Sequence, residues 1–207
     1  MTATTESSTV RRRLDTLERA FVVGLYLFLL WRFAAAVFQN PLNLIFLISE
    51  GLVVLLVLCR RGTEQISALP RDWAVAFAGT FASLMIVPGA PVMNAAGIAE
   101  VCLFFGIAVS VLAKLQLRRS FGIVAANRGL KTSGVYGLVR HPMYLGYFFV
   151  QGGTLLINFN AWNVVVLTIW VWLQLLRIHA EERVLVRDPA YTRHVERVGY
   201  RLVPYVY

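Results

Sequence analysis

"SGVYGLVRHPMYLGYFFVQGG", residues 133–153, decides how the chain is read. Arg140, His141 and Pro142 stand directly before a run of Tyr, Phe, Leu and Gly. A charge and a titratable ring are costly inside a bilayer, yet they suit its surface, where something polar must be held. Pro142 fits the first turn of a helix, where no N–H partner is needed. His141 then falls at the helix N-terminus, where free N–H groups and the dipole favour an anionic group. The stretch predicts a polar cluster at the mouth of a membrane helix.

The flanking sequence points the same way. Of 207 residues, 58% are hydrophobic and 15% charged, against about half and a quarter in soluble domains. Six apolar stretches, 21–38, 42–58, 73–88, 95–113, 143–157 and 162–178, follow a polar, Arg-rich start. A span needs about 20 residues, so several are short, and 143–157 reads as a full span or a re-entrant segment. The expected fold class is all-α, a polytopic membrane bundle of five to six transmembrane segments with no Rossmann domain. Its expected organisation is a basic tail over 1–20, disordered over 1–9, four helices over 21–113, and a catalytic region over 114–207.

Charge sets the topology. The connections "QNP" (39–41), "PGAPVMN" (88–94) and "NFNA" (158–161) hold no Lys or Arg. All 20 basic residues except Arg32 fall in the alternate connections and the two tails, or at their helix boundaries. Positive-inside topology therefore places both termini in the cytoplasm of an integral membrane protein. Anionic lipid headgroups suffice as partners for the net charge of +9, and no nucleic acid is required. A cleaved signal peptide, Arg11–Arg13 followed by an apolar core and "AAA" at 34–36, is the competing reading of the start. It would break the loop alternation. Arg32, Glu50 and Glu100 interrupt the apolar stretches and are expected either to pair across helices or to line a polar pocket. Cys59 and Cys102 lie in apolar runs and read as small buried hydrophobes.

Candidate chemistry lies from 114 onward. In "LLRIHAEERVLV" (175–186), Arg177 and Glu181 are four apart and share a helical face, either as a surface ion pair or as a binding pair. Tyr136, Tyr144 and Tyr147 offer hydroxyls near the interface, or an aromatic belt. His141, His179 and His194 form no metal-ligand spacing, and the two Cys are remote from them, so no metal is expected. There is no GxGxxG after a strand and no Walker loop.

The pattern G-x-Y-x-x-x-R-H-P-x-Y-x-G followed by a Glu pair is met by Gly134, Tyr136, Arg140, His141, Pro142, Tyr144, Gly146, Glu181 and Glu182. Over roughly 115–204 the chain resembles the isoprenylcysteine carboxyl methyltransferase family, within a wider group that includes phospholipid N-methyltransferases. The resemblance implies S-adenosyl-L-methionine as cofactor, contacted by Arg128, Gly129, Leu130, Lys131, Tyr136, His141, Pro142, Met143, Tyr144 and Glu182. It implies Arg177 and Glu181 as the catalytic residues facing a lipid-like or prenylated methyl acceptor.

A carboxylate acceptor needs no base. Arg177 would hold it by a bidentate contact, with Glu181 orienting Arg177 or balancing the sulfonium. A phospholipid amine would instead need a base such as Glu181 or Glu182. A small thiol or phenol, or a non-enzymatic binding or transport role, are the remaining alternatives. The tail "DPAYTRHVERVGYRLVP" departs from the family at His194, where another aromatic is usual, and at Asp188–Pro189, where Phe-Gly is common. The acceptor stays open on these grounds.

Overall fold

The computed structural model describes residues 2–37, 43–204 and 206–207, and their side chains except at 2–7, 32–33, 35–37 and 43–47. The elements are α1 (Thr2–Val37), α2 (Asn43–Leu58), α3 (Pro70–Phe81), α4 (Ala96–Leu117), α5 (Pro142–Ile157), α6 (Ala161–Leu185) and α7 (Pro189–Arg197). Single 3-10 turns follow at 82–85, 118–120 and 134–137. The chain is all-helical among the described residues; extended segments contribute isolated bridges, Ile66 to Ala126 and Ala90 to Phe159.

Helix starts follow local chemistry. Pro70, Pro142 and Pro189 each occupy a first-turn position, where a missing N–H costs nothing. Asn160 caps α6 by accepting from the Asn163 amide at 2.8 Å, and Asp188 caps α7 through the Ala190 amide at 2.9 Å. Asn163, buried one turn into α6, also donates to the carbonyls of Val87 (2.8 Å) and Asn158 (2.6 Å). Its side chain thereby ties the uncharged 86–95 connection to the α5–α6 turn.

α4 packs on α5, α1 on α2, and α3 on α6. The α4–α5 contact is backbone to backbone. A Cβ on Gly106 would lie 2.6 Å from the Gly146 carbonyl oxygen, and one on Gly146 would lie 2.6 Å from that of Gly106. Such small-residue seams let helices associate where apolar burial supplies no drive.

Outward faces are apolar: Ile98, Val101, Phe104 and Phe105 on α4, and Val165, Ile169 and Trp172 on α6, are all exposed. Ala96–Ser120 and Ala161–Leu185 are the two helices long and apolar enough to cross a membrane among the described residues. α2 and α5, with 16 residues each, reach only about 24 Å.

Several expectations are revised. The basic start, read as a disordered tail, is part of α1 from Thr2 onward, and Asp15 and Glu18 within it are buried. The apolar stretch 73–88 becomes α3 and a 3-10 turn ending at Met85. Cys59 is exposed at the end of α2 rather than buried, and Cys102 is half-buried. The pairing expected of Arg32 falls on a side chain outside the described residues. Glu100 faces outward on α4.

Candidate functional site

The site is built around the connector between α4 and α5. After Arg118, which adopts φ 48°, the chain runs through 119–131 alongside the α2–α3 connector. The amides of Arg61, Ser67 and Asn127 bond to the carbonyls of Arg119 (2.8 Å), Ala125 (2.9 Å) and Gln65 (2.9 Å). The turn before α5 requires Gly134 because its φ is 62°, a conformation that L side chains rarely adopt, and a Cβ there would also meet the Gln116 amide at 2.4 Å. Gln116 itself accepts from the Val135 amide at 2.9 Å. This turn buries Tyr136, whose hydroxyl points to the Ala113 carbonyl at 3.5 Å. Burial, then the negative charge of Glu181, pushes the Tyr136 phenol well above its usual range, so it stays a donor at neutral pH.

His141 precedes α5 and is buried. Its backbone amide bonds the Arg201 carbonyl at 2.8 Å, and that of Arg140 bonds Tyr200 at 3.0 Å. The C-terminal segment is thereby zipped onto the entrance of α5. The His141 ring faces both acids of α6, with Nε2 3.3 Å from Glu182 and Nδ1 3.7 Å from Glu181.

The two glutamates differ in role. Glu182 is saturated: Arg140 (3.1 Å), Arg201 (2.8 Å) and the Tyr191 hydroxyl (3.1 Å) all converge on it. It ties α5, α6 and the tail together. Glu181 accepts a hydrogen bond from the Tyr144 hydroxyl and lines a cavity of about 90 Å³. Gly129, Leu130, Lys131, Tyr136 and His141 line it too. Pro142 is buried at the first turn of α5 and sets the direction of that helix rather than lining the cavity.

Arg128 also borders this cavity, but its guanidinium is not free for a ligand. It bonds Asp15 at 2.8 Å and Glu18 at 2.5 Å.

Arg177 faces a second cavity, of about 350 Å³, on the other side of Tyr144. Its guanidinium donates to Gln174 Oε1 at 3.0 Å and to the Ile123 carbonyl at 3.2 Å, and stacks over the Tyr144 ring at 5.4 Å. Nε is buried with no partner. The expected Arg177–Glu181 pair does not form, because Tyr144 stands between them: its ring meets Arg177 and its hydroxyl meets Glu181. Gly122 and Met143 line both cavities, so the two chambers meet there. A third space, an apolar groove of about 360 Å³ between Leu145, Phe148 and Phe149 of α5 and Val171 and Leu175 of α6, opens on the apolar exterior.

Sequence reasoning missed part of the second cavity. Lys114, read as a loop charge, is buried in the last turn of α4 and donates to Ser49 Oγ at 3.1 Å. Glu50, expected either to pair across helices or to line a polar pocket, lines the same cavity with Gln151 and Gln174. A lone acid or base inside an apolar run was the available signal. The buried acids Asp15 and Glu18 were also missed; their three-residue spacing on one helical face was the clue.

Residues 98–187 match the family described as the isoprenylcysteine carboxyl methyltransferase (ICMT) family. No curated protein matches the chain.

Proposed function

We propose, from the match of residues 98–187 to the isoprenylcysteine carboxyl methyltransferase family, that this protein is an integral membrane methyltransferase. In this reading it O-methylates the carboxylate of a lipid-like, prenylcysteine-type acceptor with S-adenosyl-L-methionine. The observation that carries the reading is the pair of cavities meeting at Gly122 and Met143, one holding Glu181 and the other Arg177.

The residues around the first cavity suit the cofactor. Glu181 is a carboxylate with its Tyr144 bond on one side, available to balance a sulfonium. Gly129, at φ 107°, leaves the connector backbone open to close approach. Gly129 to Lys131, Tyr136, His141, Met143 and Tyr144 would hold the cofactor, while Arg128 and Glu182 act behind them through their ion pairs. When bound, the cofactor supplies a methyl group on a positively charged sulfur, which a carboxylate accepts without losing a proton.

The chain's own residues then orient and exclude. Arg177 carries a positive charge whose hydrogen-bond partners are neutral, so an anionic acceptor is the group that completes it. Tyr144 aligns the two chambers, and Met143 with the buried Phe121 keeps the junction apolar, which strengthens every charge interaction inside it. In this reading the acceptor's hydrocarbon lies along the apolar groove between α5 and α6. We place the catalytic region at 114–207, both termini in the cytoplasm, and the shorter helices beside α4 and α6 in the bilayer.

Amine methylation is the second reading, favoured by Glu50 in the acceptor cavity, since a carboxylate there would receive an ammonium. The test is transfer of a radiolabelled methyl group into a farnesylcysteine analogue, phosphatidylethanolamine and simple thiols. Label is expected in the first, as a base-labile ester. Label in phosphatidylethanolamine alone would shift the assignment to the amine, and folded protein that labels nothing and binds no cofactor would overturn it.

A further inference from the structure

We propose that Glu18, in the N-terminal part of α1, is a positioning residue for methyl transfer: it fixes the connector that lines both cavities and holds Arg177. The catalytic consequence rests on the methyltransferase reading above; the clamp itself does not.

Glu18 is completely buried. One carboxylate oxygen accepts the consecutive amides of Ile123 at 2.7 Å and Val124 at 3.0 Å. The other meets Arg128 at 2.5 Å and Arg60 at 3.1 Å. Asp15, one turn earlier, takes the same two arginines at 2.8 and 3.1 Å. Two acids and two bases close a neutral cluster.

Ile123 is the link to chemistry. Its amide is held by Glu18 and its carbonyl by Arg177, at 3.2 Å. One residue thus separates the buried carboxylate from the guanidinium assigned to the acceptor. The preceding residue, Gly122, lines both cavities, and a Cβ there would lie 2.2 Å from the Arg128 guanidinium. The connector therefore runs directly between the cluster and the site. On its other edge it is held by the α2–α3 connector; on this edge Glu18 supplies the acceptors that two buried amides require. Burying four charges is a weak route to stability compared with apolar packing. Placement of the connector is what the cluster provides. Asp15, Glu18 and Arg60 all lie outside the family match, which begins at residue 98.

The test compares two variants that keep the cluster neutral and nearly the same in shape: Glu18→Gln/Arg60→Met, which retains an oxygen for both amides, and Glu18→Met/Arg60→Met, which does not. Hydrogen exchange at Ile123 and Val124 is measured in the full chain in detergent, with steady-state methyl transfer to a farnesylcysteine analogue in parallel. The Gln variant is expected to keep wild-type protection and an acceptor KM within about threefold. The Met variant should exchange at least about tenfold faster at those amides and raise the acceptor KM by about tenfold, and it should melt below the Gln variant because two buried amides lose their acceptor. Equal exchange in both variants refutes the clamp. Faster exchange with unchanged KM and kcat refutes the positioning role. If neither variant folds, Glu18→Asp is read instead: its shorter reach should reproduce the exchange and KM changes, and wild-type values would overturn the proposal. Wild-type protein that transfers no methyl group defeats the methyltransferase reading, while the exchange comparison still decides the clamp.

Discussion

Replacing Arg177 by Met removes a buried guanidinium and keeps most of its volume. Two losses follow from the geometry. The acceptor carboxylate loses a charge-assisted contact, about 1.5–3 kcal/mol for a hydrogen bond to a charged group, within a Coulomb interaction of about 4 kcal/mol for unit charges 4 Å apart at an effective dielectric of 20. Together these place the loss of transition-state binding near 3–4 kcal/mol, or about 10²–10³-fold in kcat/KM. Separately, Gln174 Oε1 and the Ile123 carbonyl lose their donor, at a cost of about 1–3 kcal/mol in stability for each buried group left unpaired.

The decisive assay is methyl transfer to a farnesylcysteine analogue under saturating cofactor, with cofactor affinity measured by calorimetry. Arg177 lines the cavity assigned to the acceptor and not the one assigned to the cofactor, so affinity for the cofactor should stay within about threefold. Arg177→Lys should recover part of the activity, because a point charge keeps the attraction and loses the fork. Activity in Arg177→Met above about a tenth of wild type would refute the assignment.

Other outcomes follow from the same contacts. Tyr144→Phe removes the donor to Glu181 and keeps the ring under Arg177, so kcat should fall by about tenfold with little change in unfolding temperature, as read by transfer kinetics and a thermal melt. Glu182→Ala leaves the largely buried Arg140 without its carboxylate and frees Arg201; we expect a loss of about 2–4 kcal/mol in detergent-based denaturation. Gly146→Leu forces a side chain into the Gly106 backbone and should cost about 1–3 kcal/mol or more, seen as a lower unfolding temperature. His194 is pushed below its ordinary value by burial, then by Arg197, Arg140 and His141. Its neutral form is thus favoured on folding; the stability it contributes is present above the ordinary imidazole value of 6.5 and is lost as pH falls through the depressed value. Melts at about pH 5 and pH 7.5 should show a smaller difference in His194→Gln than in wild type.

What the sequence could reveal was whatever is local. Pro142 marks the start of α5 because a ring without an N–H has few other places on a helix. The i, i+4 spacing put Arg177 and Glu181 on one face, and both do border the chambers. What lay between them was invisible: Tyr144 comes from another helix, so no spacing announces that it separates the pair. The cluster of Asp15, Glu18, Arg60 and Arg128 joins positions more than a hundred residues apart, and four scattered charges in polar stretches look like a solvated surface. Lys114 was assigned to a loop because it follows an apolar run, yet α4 continues to Leu117 and carries it inward.

The glycine seam between α4 and α5 has a mechanical corollary. Helices whose main chains touch at Gly106 and Gly146 have no side-chain cushion to compress, so the pair behaves as a fixed post. In the proposed reading, a bulky amphiphile that needs room finds it on the α6 side, where the apolar groove lies, rather than by parting α4 from α5. Cross-linking α4 to α5 should leave turnover untouched, whereas stapling α5 to α6 should stop it.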